Sequence, residues 1–440
     1  MDKPWAQQLA GRLQARTARV CVMGLGYVGL PLALLLAEAG LYVTGIDPDR
    51  DKAALLASGV SYIHDIPDAR VAAAKASGRF HTSLDPEPLS RADVAIICVP
   101  TPLSKSKDPD ISYVVEAVDS LAAHRHHGML IVLESTTYPG TTEEILLPRI
   151  QQDGYVVGED LFVAFSPERV DPGNKRFTIR NTPKVVGGVT PVCLRLAQQL
   201  YDAIVERTVP VSSPATAEMV KILENTYRAV NIGLVNEMAQ ICRRIGLDIW
   251  EVIEAARTKP FGFQAFYPGP GLGGHCIPVD PLYLTWKMRS LSVQTRFIEL
   301  ADQVNRDMPL YVVHGVQDAL NDLGKPLRGS AVLLLGVAYK ADVADLRESP
   351  ALTIIEQLLA RGARVQYHDP FLAHVQLGTG AVLESLPALD EDALRAADCV
   401  LVHTPHSSYD LEALVRQARL VYDTRGVVPQ GVGSAQVYRL

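Results

Sequence analysis

Residues 19–47 carry the feature that most narrows the fold. Arg19-Val20-Cys21-Val22-Met23 reads as a short apolar strand and Gly24-Leu25-Gly26-Tyr27-Val28-Gly29 as a glycine-rich turn. Leu30 to Ala39 reads as an apolar helix closed by Gly40, and Leu41 to Ile46 as a second strand ending in Asp47. Strand, glycine turn, helix and strand with a terminal acid is the pattern of a parallel βαβ unit that binds a dinucleotide. Gly24 allows the tight turn, Gly26 lets backbone N–H groups approach a pyrophosphate, and Gly29 lets the helix pack against the sheet. Tyr27 and Val28 complete the loop. Asp47 is placed to accept hydrogen bonds from the adenosine ribose and to repel a 2′-phosphate, which favours NAD over NADP. Arg50, nearby, is the one residue that pulls the other way.

The strand-helix alternation continues. Ala92 to Val99 leads into Pro100-Thr101-Pro102, Leu130 to Leu133 into Glu134-Ser135-Thr136-Thr137, and Leu161 to Phe165 into Ser166-Pro167-Glu168-Arg169. Open α/β sheets bind ligands at the C-terminal ends of parallel strands, so Thr101, Thr136 and Glu168 are candidate site residues by position. From Ser213 to Asp307 the pattern changes to long helices. Ala215 to Ile245 shows apolar residues at helical spacing (Val220, Leu223, Tyr227, Val230, Leu234). Lys221 and Asn225, four apart, share a face. A helix of this length packs along a neighbour, within the subunit or across a dimer.

A second α/β unit follows: strand Ser330 to Gly336, helix Pro350 to Ala360, strand Arg364 to His368 with Asp369 after it, and strand Ala397 to His403. Ala92-Asp93-Val94-Ala95-Ile96-Ile97 is echoed by Ala397-Asp398-Cys399-Val400-Leu401-Val402. Gly336-Val337-Ala338-Tyr339-Lys340 lacks the three-glycine pattern, so this unit is expected to bind a nucleotide diphosphate through Lys340 and Arg347 instead. The expected fold class is α/β, with two Rossmann-like doubly wound domains joined by a central long-helix domain. Their expected bounds are 1–212, 213–310 and 311–440.

Composition removes several classes. An apolar fraction of 48% with 21% charged residues is globular. A net charge of −7 and the lack of a basic run argue against nucleic acid as a partner. No apolar stretch has the length of a membrane span, and Met1 to Arg19 holds no signal-peptide core, so a cytoplasmic protein is expected. The six cysteines lack CxxC spacing, and Cys21, Cys98 and Cys399 lie in apolar strand-like runs. That argues against a disulfide framework or a zinc site. His124, His126 and His127 read as a solvated loop, and no metal is expected.

Gly271-Leu272-Gly273-Gly274-His275-Cys276-Ile277-Pro278-Val279-Asp280-Pro281 carries the chemistry. Pro278 suits the first turn of a helix, which would put Cys276 at a helix N-terminus, where the macrodipole favours a thiolate. Asp280 would lie one turn further along the same face. A buried, inert cysteine in a glycine-rich turn is the alternative.

With these parts in order, the chain resembles the nucleotide-sugar 6-dehydrogenases, the UDP-glucose/UDP-N-acetylhexosamine dehydrogenase family. The resemblance runs nearly end to end through GLGYVGLP at 24–31, STTYPGT at 135–141, SPERVDPG at 166–173, KILENTYRAVNI at 221–232, GLGGHCIPVDP at 271–281 and YKADVADLRES at 339–349. It implies oxidation of a primary alcohol to a carboxylate in two steps, each consuming one NAD. It further implies Cys276 as nucleophile, Lys221 and Asn225 as oxyanion stabilisers, Asp280 as manager of protons and water, and Thr136 and Glu168 as holders of the hydrolytic water. Thr101 and Arg347 join the cofactor contacts. Arg169, Arg257, Tyr267, Gly273 and Lys340, with Glu168, Lys221 and Asn225, form the expected substrate contacts.

In place of the serine common in the UDP-glucose branch the chain has His275. Its segment 260–271 resembles bacterial UDP-N-acetylglucosamine 6-dehydrogenases of surface-polysaccharide pathways, such as O-antigen and lipopolysaccharide. UDP-N-acetylglucosamine is therefore the expected substrate, with UDP-N-acetylmannosamine and UDP-glucose as alternatives. A homodimer or higher homo-oligomer is implied. A single-step hydroxyacid dehydrogenase or a non-catalytic nucleotide-binding protein remain rival readings, and Cys276 with Lys221 and Asp280 counts against both.

Overall fold

The structure is a computed structural model and describes residues 4–63, 65–104, 108–170, 174, 176–274 and 276–440. The chain divides into two compact units, Met1–Glu224 with Leu282–Ser292, and Asn225–Pro281 with Val293–Leu440.

The first unit is built on eight strands: β1 (Arg19–Met23), β2 (Tyr42–Ile46), β3 (Phe80–Ser83), β4 (Val94–Ile97), β5 (Leu130–Leu133), β6 (Phe162–Phe165), β7 (Lys184–Gly188) and β8 (Thr208–Val211). Their order is β3-β2-β1-β4-β5-β6-β7-β8, a doubly wound sheet that reverses direction between β1 and β4. All pairs are parallel except β6 with β7. Both faces are covered, which explains the continuous apolar runs. Val20 and Val22 enter the core on one side of the sheet, Cys21 and Met23 the core on the other. Residues 282–292 belong to this unit because Tyr283 donates from its hydroxyl to the Thr101 carbonyl at 2.8 Å and Lys287 pairs with Glu144 at 2.5 Å.

The second unit holds β9 (Ala331–Leu335), β10 (Arg364–His368), the small hairpin β11 (His374–Gln376) with β12 (Val382–Glu384), β13 (Cys399–Val402), β14 (Leu420–Asp423) and β15 (Gln436–Arg439). Five of these form a parallel sheet in the order β10-β9-β13-β14-β15. The echo between the halves of the sequence has a structural basis. Asp93 accepts from the Arg19 N–H at 2.8 Å and pairs with Arg12; Asp398 accepts from the Ala331 N–H at 2.9 Å and pairs with Lys325. In each unit one carboxylate ties the start of the first strand to the start of its neighbour.

The helix Pro214–Ile245 contributes residues to both units, and only part of the stripe marked by periodicity meets a core, Val220 packing against one. Leu223, Tyr227 and Leu234 are exposed, whereas Glu218, Lys221, Asn225, Ala229, Asn236 and Ala239 are buried. Small residues permit close helix packing: a Cβ on Gly233 would lie 3.2 Å from Ala301 of the helix Arg296–Asp322. No helix among the described residues is long and apolar enough to cross a membrane.

Candidate functional site

In the first unit, the turn after β1 has the shape a dinucleotide requires. Gly24 has φ +88°, and a Cβ there would lie 2.7 Å from the Cys98 carbonyl oxygen. A Cβ on Gly29 would lie 1.9 Å from the Gly24 oxygen, so the first turn of the helix Gly29–Glu38 sits directly on the loop. Gly26 faces open space, with nothing within 4 Å of its Cβ position, which leaves room for a pyrophosphate. Tyr27 is exposed and Val28 half-buried. Asp47, at the end of β2, accepts from the Leu25 N–H at 2.9 Å and the Asp49 N–H at 3.0 Å. A carboxylate has about four acceptor positions, so capacity remains for a ribose. The cation beside it is Lys52, 3.3 Å away. Arg50 opens the helix Arg50–Ser58 and is exposed.

The ends of β4, β5 and β6 carry the next residues. Thr101 and Thr137 are buried, Thr136 is half-buried. Sequence pattern singled out Thr136, yet the Thr137 hydroxyl is the one buried without a hydrogen-bond partner among the described residues. Glu168 accepts from the Arg169 and Val170 N–H groups, both at 2.8 Å, on Oε1. Arg169 is turned to Glu224 at 2.5 Å and to the Pro183 carbonyl at 2.6 Å. Asp171, Pro172 and Gly173 of the same motif lie outside the described residues.

Two buried acids missed by motif reading sit beside these groups. Glu134 pairs with Lys184 at 3.1 Å and accepts from the Tyr201 hydroxyl; burial pushes the Glu134 pKa up. Glu218, one turn before Lys221, accepts from the Gly140 N–H at 2.5 Å, the Thr142 N–H at 2.9 Å and the Thr142 hydroxyl at 2.7 Å. It serves as an N-terminal cap, supplied from a distant helix, for the π turn Thr142–Leu146. Burial pushes its pKa up to about 7. Lys221 is buried.

In the second unit, Cys276 is half-buried in the turn that leads into the helix Asp280–Ser290. Its carbonyl accepts from the Val279 N–H at 3.1 Å and the Asp280 N–H at 2.8 Å. Pro278 lies in this turn, which runs directly into the helix at Asp280. Asp280 is buried and accepts from the Asn225 side-chain amide at 2.6 Å. His275 lies outside the described residues.

The glycines before Cys276 serve close packing. A Cβ on Gly273 would lie 2.6 Å from the Tyr339 Cβ, and one on Gly274 2.9 Å from the Tyr339 ring. The Gly274 N–H donates to the Arg347 carbonyl at 2.9 Å. Thus the cysteine loop is seated on the loop after β9 that carries Lys340 and Arg347. Arg347 forks onto Asp345 at 2.7–3.1 Å. Asn236 holds the preceding segment: its carbonyl oxygen accepts from the Gly269 N–H at 2.9 Å while its amide donates to Asn305 at 2.8 Å. Arg257 and Tyr267 form an exposed trio with Glu254 at 2.8–3.2 Å.

The first loop of this unit differs from its counterpart. The Val337 and Ala338 N–H groups are both held by Asp369, at 2.8 and 3.1 Å, as is His406 at 3.1 Å. With those donors engaged, the loop is not laid out for a second dinucleotide. Arg425, past the end of β14, is a further cation at the ligand edge of the sheet. Its Nε donates to the His403 carbonyl at 2.9 Å, and burial lowers its pKa to about 10. An arginine two residues past a strand of four buried residues was the signal for it.

Comparison with known proteins agrees with this geometry. Residues 18–205 match the NAD binding domain of the UDP-glucose/GDP-mannose dehydrogenase family, residues 215–307 its central domain and residues 333–430 its UDP binding domain. The chain is 34% identical to a UDP-N-acetyl-D-mannosamine dehydrogenase of Methanococcus maripaludis, over 93% of each chain. It is 36% identical to an NDP-N-acetyl-D-galactosaminuronic acid dehydrogenase of Ralstonia nicotianae, over 93% of this chain and 96% of the relative. Among solved structures, a UDP-D-ManNAc dehydrogenase from Pyrococcus horikoshii superposes with a TM-score of 0.86 at 32% identity, covering 96% of this chain and 98% of that one.

Proposed function

The chain belongs to the UDP-glucose/GDP-mannose dehydrogenase family, an NAD-dependent UDP-sugar dehydrogenase, and from that premise we propose that it oxidises C6 of UDP-N-acetyl-D-mannosamine to the carboxylate. The sequence expectation of UDP-N-acetylglucosamine yields to the mannosamine epimer, because relatives at 32–34% identity over nearly the whole chain carry that name.

NAD supplies the hydride acceptor in both steps; the chain's own residues do the rest. In the first step the C6 alcohol loses a hydride and a proton and becomes an aldehyde. The Cys276 thiolate then adds to the aldehyde carbon, giving a thiohemiacetal whose alkoxide can expel the second hydride. The thioester so formed is cleaved by water: a C–O bond forms, the C–S bond breaks, and the thiolate returns. Lys221 and the Asn225 amide donate to the oxyanion, Asp280 orients Asn225 and exchanges protons, and Glu168 with Thr136 and Thr137 holds the water. Lys340 and Arg425 bind the nucleotide diphosphate end, while Arg257, Tyr267 and Gly273 contact the sugar.

The observation that carries the two-step reading is Cys276 on the turn into the helix whose first residue, Asp280, is paired to Asn225 at 2.6 Å. A single-step dehydrogenase has no use for that cysteine. Purified protein incubated with UDP-N-acetylmannosamine, UDP-N-acetylglucosamine, UDP-N-acetylgalactosamine and UDP-glucose tests both parts. Two NADH per sugar and the highest kcat/KM with the mannosamine are expected. One NADH per sugar would end the covalent mechanism, and a better rate with another sugar would end the substrate assignment alone.

A further inference from the structure

Two carboxylates and one ammonium are buried together at the ligand edge of the eight-stranded sheet. Glu134 follows β5, Glu168 follows β6, and Lys184 opens β7. Because β7 runs antiparallel to β6, with Phe165 opposite Gly187, its first residue falls at the C-terminal end of β6. A parallel strand would have put Lys184 at the opposite edge. Lys184 Nζ lies 3.1 Å from Glu134 Oε2, 3.6 Å from Glu168 Oε2 and 3.5 Å from the Pro167 carbonyl. The Tyr201 ring lies beneath it, at 4.9 Å, and the Tyr201 hydroxyl donates to the other Glu134 oxygen.

Glu168 is held asymmetrically. Its Oε1 takes two backbone N–H groups at 2.8 Å. Its Oε2 is buried and accepts no hydrogen bond among the described residues; Lys184 is the charge beside it. We propose that Lys184 is a positioning residue for hydrolysis, its ammonium set between the Glu134 and Glu168 carboxylates so that Glu168 Oε2 stays open to the attacking water. This rests on the assignment of Glu168 to the hydrolytic step. In that step Oε2 takes a proton from water as the water oxygen bonds to the thioester carbon and the sulfur leaves.

The logic is competition for one proton. Two buried carboxylates without a cation cannot both stay charged, and one is driven to bind a proton. Lys184 offsets that repulsion. Burial pushes Glu134 upward, while the two carboxylates outweigh burial and raise Lys184, so the ammonium stays charged. Among the described residues, the remaining groups facing the cluster are Cys98 and Tyr201, both kept neutral by burial. The Arg169 guanidinium is turned away to Glu224.

The test compares wild type, Lys184→Met, Lys184→Arg, Glu134→Gln and Glu168→Gln with NAD and UDP-N-acetylmannosamine, or the UDP-hexosamine that the wild type turns over. The NADH burst, acid-quenched mass of the Cys276 thioester, and kcat against pH are read. In Lys184→Met the burst should persist, the thioester should accumulate, and the acidic limb of kcat should move up by about one pH unit, a tenfold change in proton affinity. Lys184→Arg should restore the wild-type limb. Glu134→Gln, which leaves the ammonium to Glu168 alone, should move the limb down. An unmoved limb in Lys184→Met, with no accumulated thioester, overturns the proposal. If Lys184→Met does not fold, Glu134→Gln decides, and an unmoved limb there overturns it equally. Glu168→Gln separates the two layers: hydrolysis at the wild-type rate in that variant removes the role of Glu168 itself.

Discussion

Cys276 and Glu218 show how differently two single residues serve the same enzyme. In the proposed mechanism Cys276 acts through its sulfur. Cys276→Ala should abolish formation of the uronic acid yet change NAD affinity by less than about threefold, because the Gly24–Gly29 loop is a separate element whose contacts add independently. Rapid-quench product analysis with NAD titration checks both; acid formation by the alanine variant would remove Cys276 from the mechanism. Glu218 acts through its burial. Its pKa is raised from 4.5 to about 7, so the folded protein binds that proton more tightly than the unfolded chain. The stabilisation is complete below about pH 4.5 and is lost as pH rises through 7, a total on the order of 3 kcal/mol. Urea unfolding at pH 5, 6, 7 and 8 should show this decline, and Glu218→Gln should flatten it. The same pH slope in the variant would mean another group is responsible.

At the scale of elements, the glycine loop after β1 offers a clean separation of folding from binding. Gly29→Ala would push a methyl group to 1.9 Å from the Gly24 carbonyl oxygen, backbone against backbone, with no side chain able to move aside. A loss on the order of 1–3 kcal/mol is expected, seen as a lower Tm without ligand. Gly26→Ala meets nothing in the protein, so its Tm should stay at the wild-type value. Its methyl group enters the space reserved for the pyrophosphate, and the Kd for NAD should rise on the order of tenfold, about 1.4 kcal/mol. Calorimetry with and without NAD distinguishes the two variants. An undiminished NAD affinity in Gly26→Ala would show that the pyrophosphate does not approach that residue.

For the whole molecule, the helix Pro214–Ile245 points to self-association. Leu223, Tyr227, Leu234, Met238, Ile241 and Ile245 are 38–65% exposed, and at 100° per residue they fall within roughly 60° of one another. A continuous apolar stripe is costly to leave in water, and a second copy presenting the same stripe would bury it with twofold symmetry. Wild-type protein should therefore sediment as a dimer or larger assembly, and Leu234→Glu with Ile241→Glu should shift it toward monomer. A wild-type protein that sediments as a monomer at micromolar concentration would end this reading.

What was legible in the sequence was whatever depends on neighbours along the chain. The βαβ unit, the positions of Lys221 and Asn225 one turn apart, the placement of Glu168 at a strand end, and the Asp93 and Asp398 repeat all follow from spacing. Periods of two and of 3.6 are set by backbone geometry alone. Tertiary structure decided the rest, because it depends on partners distant in sequence. Periodicity marked an apolar face on the long helix but could not tell a core from a surface awaiting a second chain. The need for glycine at 273 and 274 comes from their close approach to Tyr339, a partner about 65 residues on in the chain. Lys184 carried no motif at all, since its nearness to Glu134 and Glu168 comes from one strand running backwards in an otherwise parallel sheet. Local geometry repeats along a chain and can be read from it, whereas the desolvation that gives a buried lysine or glutamate its chemistry exists only once the chain has folded.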